Sequence, residues 1–128
     1  MKKTIAILIM IFALNIHIFG ATSMHEYLSK AISAELNDEP FIVRVIYGEM
    51  LLNRLESKDY PDTLPAICFS LGINVSGAKP TPSDMRAASV ALCGVNFSCG
   101  ALNAEKAKRK SIPQAVGDGM LIYGWYFY

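Results

Sequence analysis

The sequence predicts an α+β fold, mostly helical, with a small β element at its C-terminal end. Three observations carry this reading. Apolar residues recur at helical spacing from Tyr27 to Leu36 and cover most of the stretch from Phe41 to Leu55. Thr81-Pro82-Ser83-Asp84, ahead of Met85, Ala88, Val90, Ala91 and Leu92, has the form of a helix start. Met120 to Tyr128 gathers Ile122, Tyr123, Trp125, Tyr126 and Phe127 around one glycine, the composition of a terminal strand or half of a hairpin.

The chain begins with Lys2 and Lys3, an apolar run from Ile5 to Phe19, and the small residues Gly20, Ala21 and Ser23. A charged start, an apolar middle and a small-residue end are the parts of a secretory signal peptide, so residues 1–23 are read as a leader and 24–128 as one domain. The run falls short of the roughly 20 apolar residues that span a bilayer; an uncleaved anchor is the alternative. The hydrophobic fraction of 52% and mean hydropathy of +0.30 are inflated by this segment.

Ser23-Met24-His25-Glu26 reads as a capping box for the first helix, whose stripe is Tyr27, Leu28, Ala31, Ile32 and Leu36. Cleavage after Gly20 preserves that cap, and cleavage after Ser23 removes it. Asn37-Asp38 breaks the helix, and Asp38 is placed to cap the next one, with Pro40 in its first turn. The second helix, about Glu39 to Ser57, is apolar nearly all round and so must be covered on several sides. Glu49 lies within it and needs a partner, for which Arg44, Arg54 and Lys58 are candidates. Asp59-Tyr60-Pro61-Asp62 is a turn, Thr63 to Phe69 one or two helical turns, and Gly72 to Lys79 a loop that can line a cleft. The helix opened by Thr81 ends at Gly94. From Val95 to Gly119 the signals are weak.

Charge and cysteine usage narrow the function classes. Without Lys2 and Lys3 the twelve basic residues become ten against eleven acids, a net of −1, with no basic stripe for nucleic acid. Lys106, Lys108, Arg109 and Lys110 read as a solvated face that can also rest on an anionic wall or membrane. Outside the cytoplasm Cys93 and Cys99 are close enough in sequence to bridge; the other reading makes Cys68, Cys93 and Cys99 small buried hydrophobes. With no Cys-x-x-Cys and no paired histidines, neither zinc nor another cofactor is expected.

Glu35, Asp38 and Glu39 put three acids in five positions of a chain that is only 18% charged. On spacing alone two readings stand. Asp38 and Glu39 cap the second helix while Glu35 is solvated, or an acid at this corner has a raised pKa and donates protons.

Ala34-Glu35, Asp38-Glu39-Pro40-Phe41, Leu52-Asn53-Arg54-Leu55, Tyr60-Pro61-Asp62-Thr63-Leu64, Arg86-Ala87-Ala88, Ala91-Leu92-x-Gly94 and Gly100-Ala101-Leu102 occur in that order. Together they resemble the SleB family of cell wall hydrolases. The resemblance covers about residues 24–128. It implies a mostly helical core like that of lysozyme and the lytic transglycosylases, with a small C-terminal β element. It also implies cleavage of the bond between N-acetylmuramic acid and N-acetylglucosamine in peptidoglycan by a monomer without a cofactor, secreted or held in the envelope. Glu35 matches the family's acid/base. Glu39, Asn53, Arg54, Gly100, Ala101 and Asn103 fall at substrate-binding or supporting positions, with Glu39 expected to cap the corner.

Asn103-Ala104-Glu105-Lys106 stands where the family usually continues with aromatic residues. This departure motivates an alternative: a catalytically degenerate protein that binds peptidoglycan or an envelope partner.

Overall fold

The computed structural model describes residues 24–106 and 119–128. The leader, the Ser23 cap and Lys108, Arg109 and Lys110 of the basic cluster lie outside the described residues. Helix α1 is described over residues 24–35, followed by α2 (Phe41–Glu56), α3 (Leu64–Ser70) and α4 (Pro82–Leu92). Strands β1 (Ala104–Lys106), β2 (Met120–Ile122) and β3 (Trp125–Phe127) form an antiparallel sheet in the order β1-β3-β2. The α+β prediction holds.

Helix α2 is the centre of the packing. It buries Val43, Val45, Ile46, Tyr47, Met50 and Leu51, and packs chiefly on α4 and α3. The α1 stripe of Leu28, Ala31, Ile32 and Leu36 joins the same core. Gly48 lets three helices meet: a Cβ there would stand 3.1 Å from the Ala91 methyl and 3.2 Å from Ile32 Cδ1. His25 Nε2 lies 3.0 Å from the Met85 carbonyl and 2.9 Å from Ser89 Oγ, tying α1 to α4.

The two helix starts differ in how they are capped. At α4 the prediction is met: Thr81 and Asp84 form a reciprocal capping box. At α2 it is not. The N-cap is Pro40, no side chain caps it, and Asp38 is exposed in the preceding turn. Arg44 holds the corner instead, donating to the Asn37 and Glu39 carbonyls at 2.8 Å each and to Asp84 Oδ1 at 2.8 Å. The guanidinium answers two carbonyls of the preceding turn rather than the free N–H groups of the helix start, and it joins the α1–α2 corner to α4.

Met120–Tyr128 is a whole hairpin rather than half of one. Tyr123 and Gly124, with φ of 48° and 80°, provide the two left-handed positions of a tight turn. β1 falls in the stretch where the sequence signals are weak. Ala104, Glu105 and Lys106 pair with Phe127, Tyr126 and Trp125, so this strand exists through a partner about twenty residues away.

Asp84 is fully buried and receives Arg44, the Thr81 N–H and the Thr81 hydroxyl. Asp84→Ala strands a mostly buried guanidinium and uncaps α4, so it should cost about 3–5 kcal/mol in urea unfolding. A loss below about 1 kcal/mol would contradict the role given to this pair.

Candidate active site

Glu35 is the last residue of α1 and is exposed at the corner before α2. Its carboxylate faces groups that the apolar pattern had marked only as core. Burial pushes the Tyr47 phenol well above its ordinary range, and the Glu35 charge adds to the shift. The same two causes, in the same order, push the Cys68 thiol up to about 11. Tyr47 meets the Trp125 indole edge-on at 6.1 Å between centroids, and Trp125 stacks on Phe127 at 6.5 Å. Strand β3 therefore supplies an aromatic wall behind the corner.

Glu39 does not cap α2. Its Oε1 accepts from Lys106 Nζ at 2.5 Å, and this bond holds the carboxyl below its ordinary range against the opposing effect of burial. The Trp125 indole also favours the ionised form of Glu39. The two stop short of hydrogen-bond geometry, and Trp125 Nε1 is buried with no acceptor among the described residues. Lys106 Nζ also stands 5.9 Å from the Trp125 ring centroid. Lys106 is thus both solvent-exposed, as expected of the basic cluster, and an ion-pair partner of Glu39.

Asn53 and Arg54, at the far end of α2, hold the segment that leads into β1. Asn53 Nδ2 donates to Ser98 Oγ at 3.0 Å and to the Ala101 carbonyl at 2.9 Å. Arg54 donates to the Leu102 carbonyl and, at 2.7 Å, to Asn103 Oδ1, with its guanidinium 4.6 Å from the Tyr60 ring centroid. Asn103 also exchanges backbone bonds with Tyr128. Gly100 allows the bend, at φ 80°, with its N–H on Asn96 Oδ1.

Glu49 takes none of the partners expected of it. Its Oε2 accepts the Ser98 N–H at 2.6 Å, while Arg44 and Arg54 are engaged elsewhere. Among the described residues no group of three or more His, Cys, Asp or Glu side chains is placed to hold a metal. No described helix is long and apolar enough to cross a membrane.

Neither a protein-family model nor a curated protein sequence matches the chain. Solved structures do. The catalytic domain of SleB from Bacillus cereus superposes with a TM-score of 0.65 at 20% identity, over 83% of this chain and 89% of that one. The catalytic domain of the germination-specific lytic transglycosylase SleB from Bacillus anthracis gives 0.61 at 18% identity, over 80% and 91%. The fold is that of the SleB catalytic domain.

Within this SleB fold the sequence-chosen residues divide into two groups. Asn53, Arg54, Ala101 and Asn103 meet directly at the end of α2, with Gly100 at the bend. Glu35 and Glu39 stand at the other end of that helix. Lys106 links the groups, because the segment held by Arg54 runs into β1 and ends on Glu39. Tyr47 and Cys68 belong beside Glu35, and Trp125 beside Tyr47 and Glu39; none was singled out as a site residue. Only the mismatch of a phenol and an indole in an otherwise aliphatic core could have marked them.

All three cysteines are free; Cys68 is buried, whereas Cys93 and Cys99 are exposed. The Cys93–Cys99 bridge is not formed, and only Cys68 fits the buried-hydrophobe reading. A thiol reagent at pH 8 should label Cys93 and Cys99 promptly and Cys68 only in denaturant, since both burial and its raised pKa suppress the thiolate. Mass spectrometry of labelled peptides checks this; prompt labelling of Cys68 would contradict the packing beside Glu35.

Proposed function

We propose that the protein cleaves peptidoglycan at the bond between N-acetylmuramic acid and N-acetylglucosamine, as a lytic transglycosylase with Glu35 as acid and then base. The observation that carries this reading is the position of Glu35 in a SleB catalytic-domain fold: exposed at a helix corner, beside an aromatic wall. The two solved neighbours are SleB catalytic domains, one of them titled a lytic transglycosylase. Residues 1–23 are then a secretory leader, and 24–128 a domain that acts outside the cytoplasm on glycan strands.

In this mechanism the Glu35 carboxyl protonates the glycosidic oxygen as the leaving sugar departs through an oxocarbenium-like state. The resulting carboxylate takes the proton from the muramyl 6-hydroxyl, whose oxygen closes on the anomeric carbon to give a 1,6-anhydro ring. No second carboxylate is required. That suits this chain, because neither Glu39 nor Glu49 stands free across from Glu35. Glu39 is bound to Lys106. Glu49 lies two residues from Tyr47 on α2, about 200° around the helix, and so on the opposite face. Asn53 and Arg54 fix the segment that delivers Lys106 and β3 to the corner. The binding-only reading draws on Asn103, whose side chain is taken up by Arg54 instead of facing a ligand.

Mass analysis of muropeptides after incubation with peptidoglycan should find anhydro ends, and Glu35→Gln should lower their release by about 10² or more. Because Glu35 is exposed, the variant should stay within about 0.5 kcal/mol of the parent in stability. Reducing ends in place of anhydro ends would point to hydrolysis. Retention on insoluble peptidoglycan without any new ends would support the binding-only reading.

A further inference from the structure

A feature left unused by this mechanism is a cavity of about 490 Å³ on the face of α2 away from Tyr47. Neither it nor the two other cavities found (lined by Tyr27, Pro65 and their neighbours) includes Glu35 in its walls. That is consistent with a glycan cleft that is an open groove.

Glu49, Asn53 and Glu56 line the α2 side of the cavity; Leu92, Val95 and Ser98 are among those opposite. Glu49 is 4% exposed, and its carboxylate is only half satisfied. Oε2 accepts the Ser98 N–H, whereas Oε1 is buried with no hydrogen-bond partner among the described residues. Asn53 uses both of its amide hydrogens on Ser98 Oγ and the Ala101 carbonyl, which leaves Oδ1 as an acceptor. Glu56 adds a second carboxylate at the rim, and none of the lining residues is Lys, Arg or His. A buried, unpaired carboxylate oxygen is costly, and a donor of opposite charge offsets that cost best.

We propose that this cavity is a second binding site, for a primary ammonium on a short apolar stem. The ammonium is received by Glu49 Oε1 with Asn53 Oδ1, under the field of Glu56, and the stem rests on Leu52 and Leu92. An ammonium brings three donors and no acceptor, matching a wall whose uncommitted polar groups are acceptors. The charge can belong to a free small amine or to a lysine-type side chain of a peptide. The site takes in neither Glu35 nor Glu39, though it shares Asn53 and Gly100 with the segment that leads into β1.

Propylammonium titrated into the ¹⁵N-labelled protein should shift the Ser98 and Asn53 backbone amide signals saturably, and 1-propanol should not. Glu49→Gln keeps an acceptor for the Ser98 N–H but removes the charge, and should weaken propylammonium by about tenfold or more. Val95→Trp, at the exposed rim, fills the cavity without touching Glu49 and should abolish the shifts even if the Gln variant folds poorly. Nα-acetyl-lysine methylamide binding more tightly than propylammonium would assign the site to a peptide; weaker binding would assign it to free amines. Equal responses to propylammonium and propanol, unchanged affinity in Glu49→Gln, or no saturable shift would overturn the proposal. The readout does not involve cleavage, so its failure leaves the Glu35 test untouched.

Discussion

The structure depends on the need of one helix to be covered on every side. α2 carries apolar residues around nearly its whole circumference, so α1, α3, α4 and β3 must all pack on it. Gly48 sets how closely α1 and α4 approach. Tyr47 receives the edge of Trp125 and so fixes where the sheet docks. A helix enclosed in this way must answer most of its polar side chains, Glu49 Oε1 being the exception among the described residues. Each polar residue among its inner positions therefore holds a piece of irregular chain: Arg44 the corner at Asn37 to Glu39, Glu49 the Ser98 amide, Asn53 Ala101, and Arg54 Leu102 with Asn103.

Those four side chains explain why loops on both ends of α2 are held where they are. The corner containing Glu35 and Glu39 is fixed by Arg44 and Asp84 on one side and by Lys106 on the other. The segment 98–103 has no periodic pattern of its own, yet it receives the most specific hydrogen bonds in the molecule. Energetically this is a reasonable division. Apolar burial sets the overall packing, while charge-assisted bonds to backbone carbonyls select one conformation of chain that would otherwise have many.

How much of this was legible in the sequence follows the range of the interactions. Helix α4 was readable to its cap, because Thr81 and Asp84 are three residues apart and satisfy each other. The α2 start was misread, because the corner is held by Arg44, from inside the helix, donating to carbonyls of the preceding turn rather than by an acid accepting from the helix N–H groups. β1 was invisible for the same kind of reason: Ala104, Glu105 and Lys106 have no strand pattern, and only β3 makes them a strand. Glu35 was chosen through a motif whose order in the chain matches that of a known family. Its neighbours Tyr47 and Cys68, with Trp125 beside Tyr47, come from three distant elements, and no local spacing could join them. Glu49 was flagged as needing a partner, but the partner proved to be a backbone N–H that no charge pattern reveals.

The two acids at the corner are separated by their surroundings rather than by their sequence. Glu39 is ionised and neutralised, since Lys106 both lowers its pKa and occupies its oxygen. Glu35 has no such role in the packing and stays exposed, beside a phenol and a thiol that burial keeps protonated. Through Lys106, β1 sets the charge balance at Glu39. The strand with the weakest signal in the sequence is thus the one that couples the α2 clamp at Asn103 to the electrostatics of the corner. That coupling also bears on the family departure at Asn103 to Lys106. The aromatic residues usual there are replaced by a tether, Asn103, and a cation, Lys106, while the β3 aromatics Trp125 and Phe127 are buried in the core.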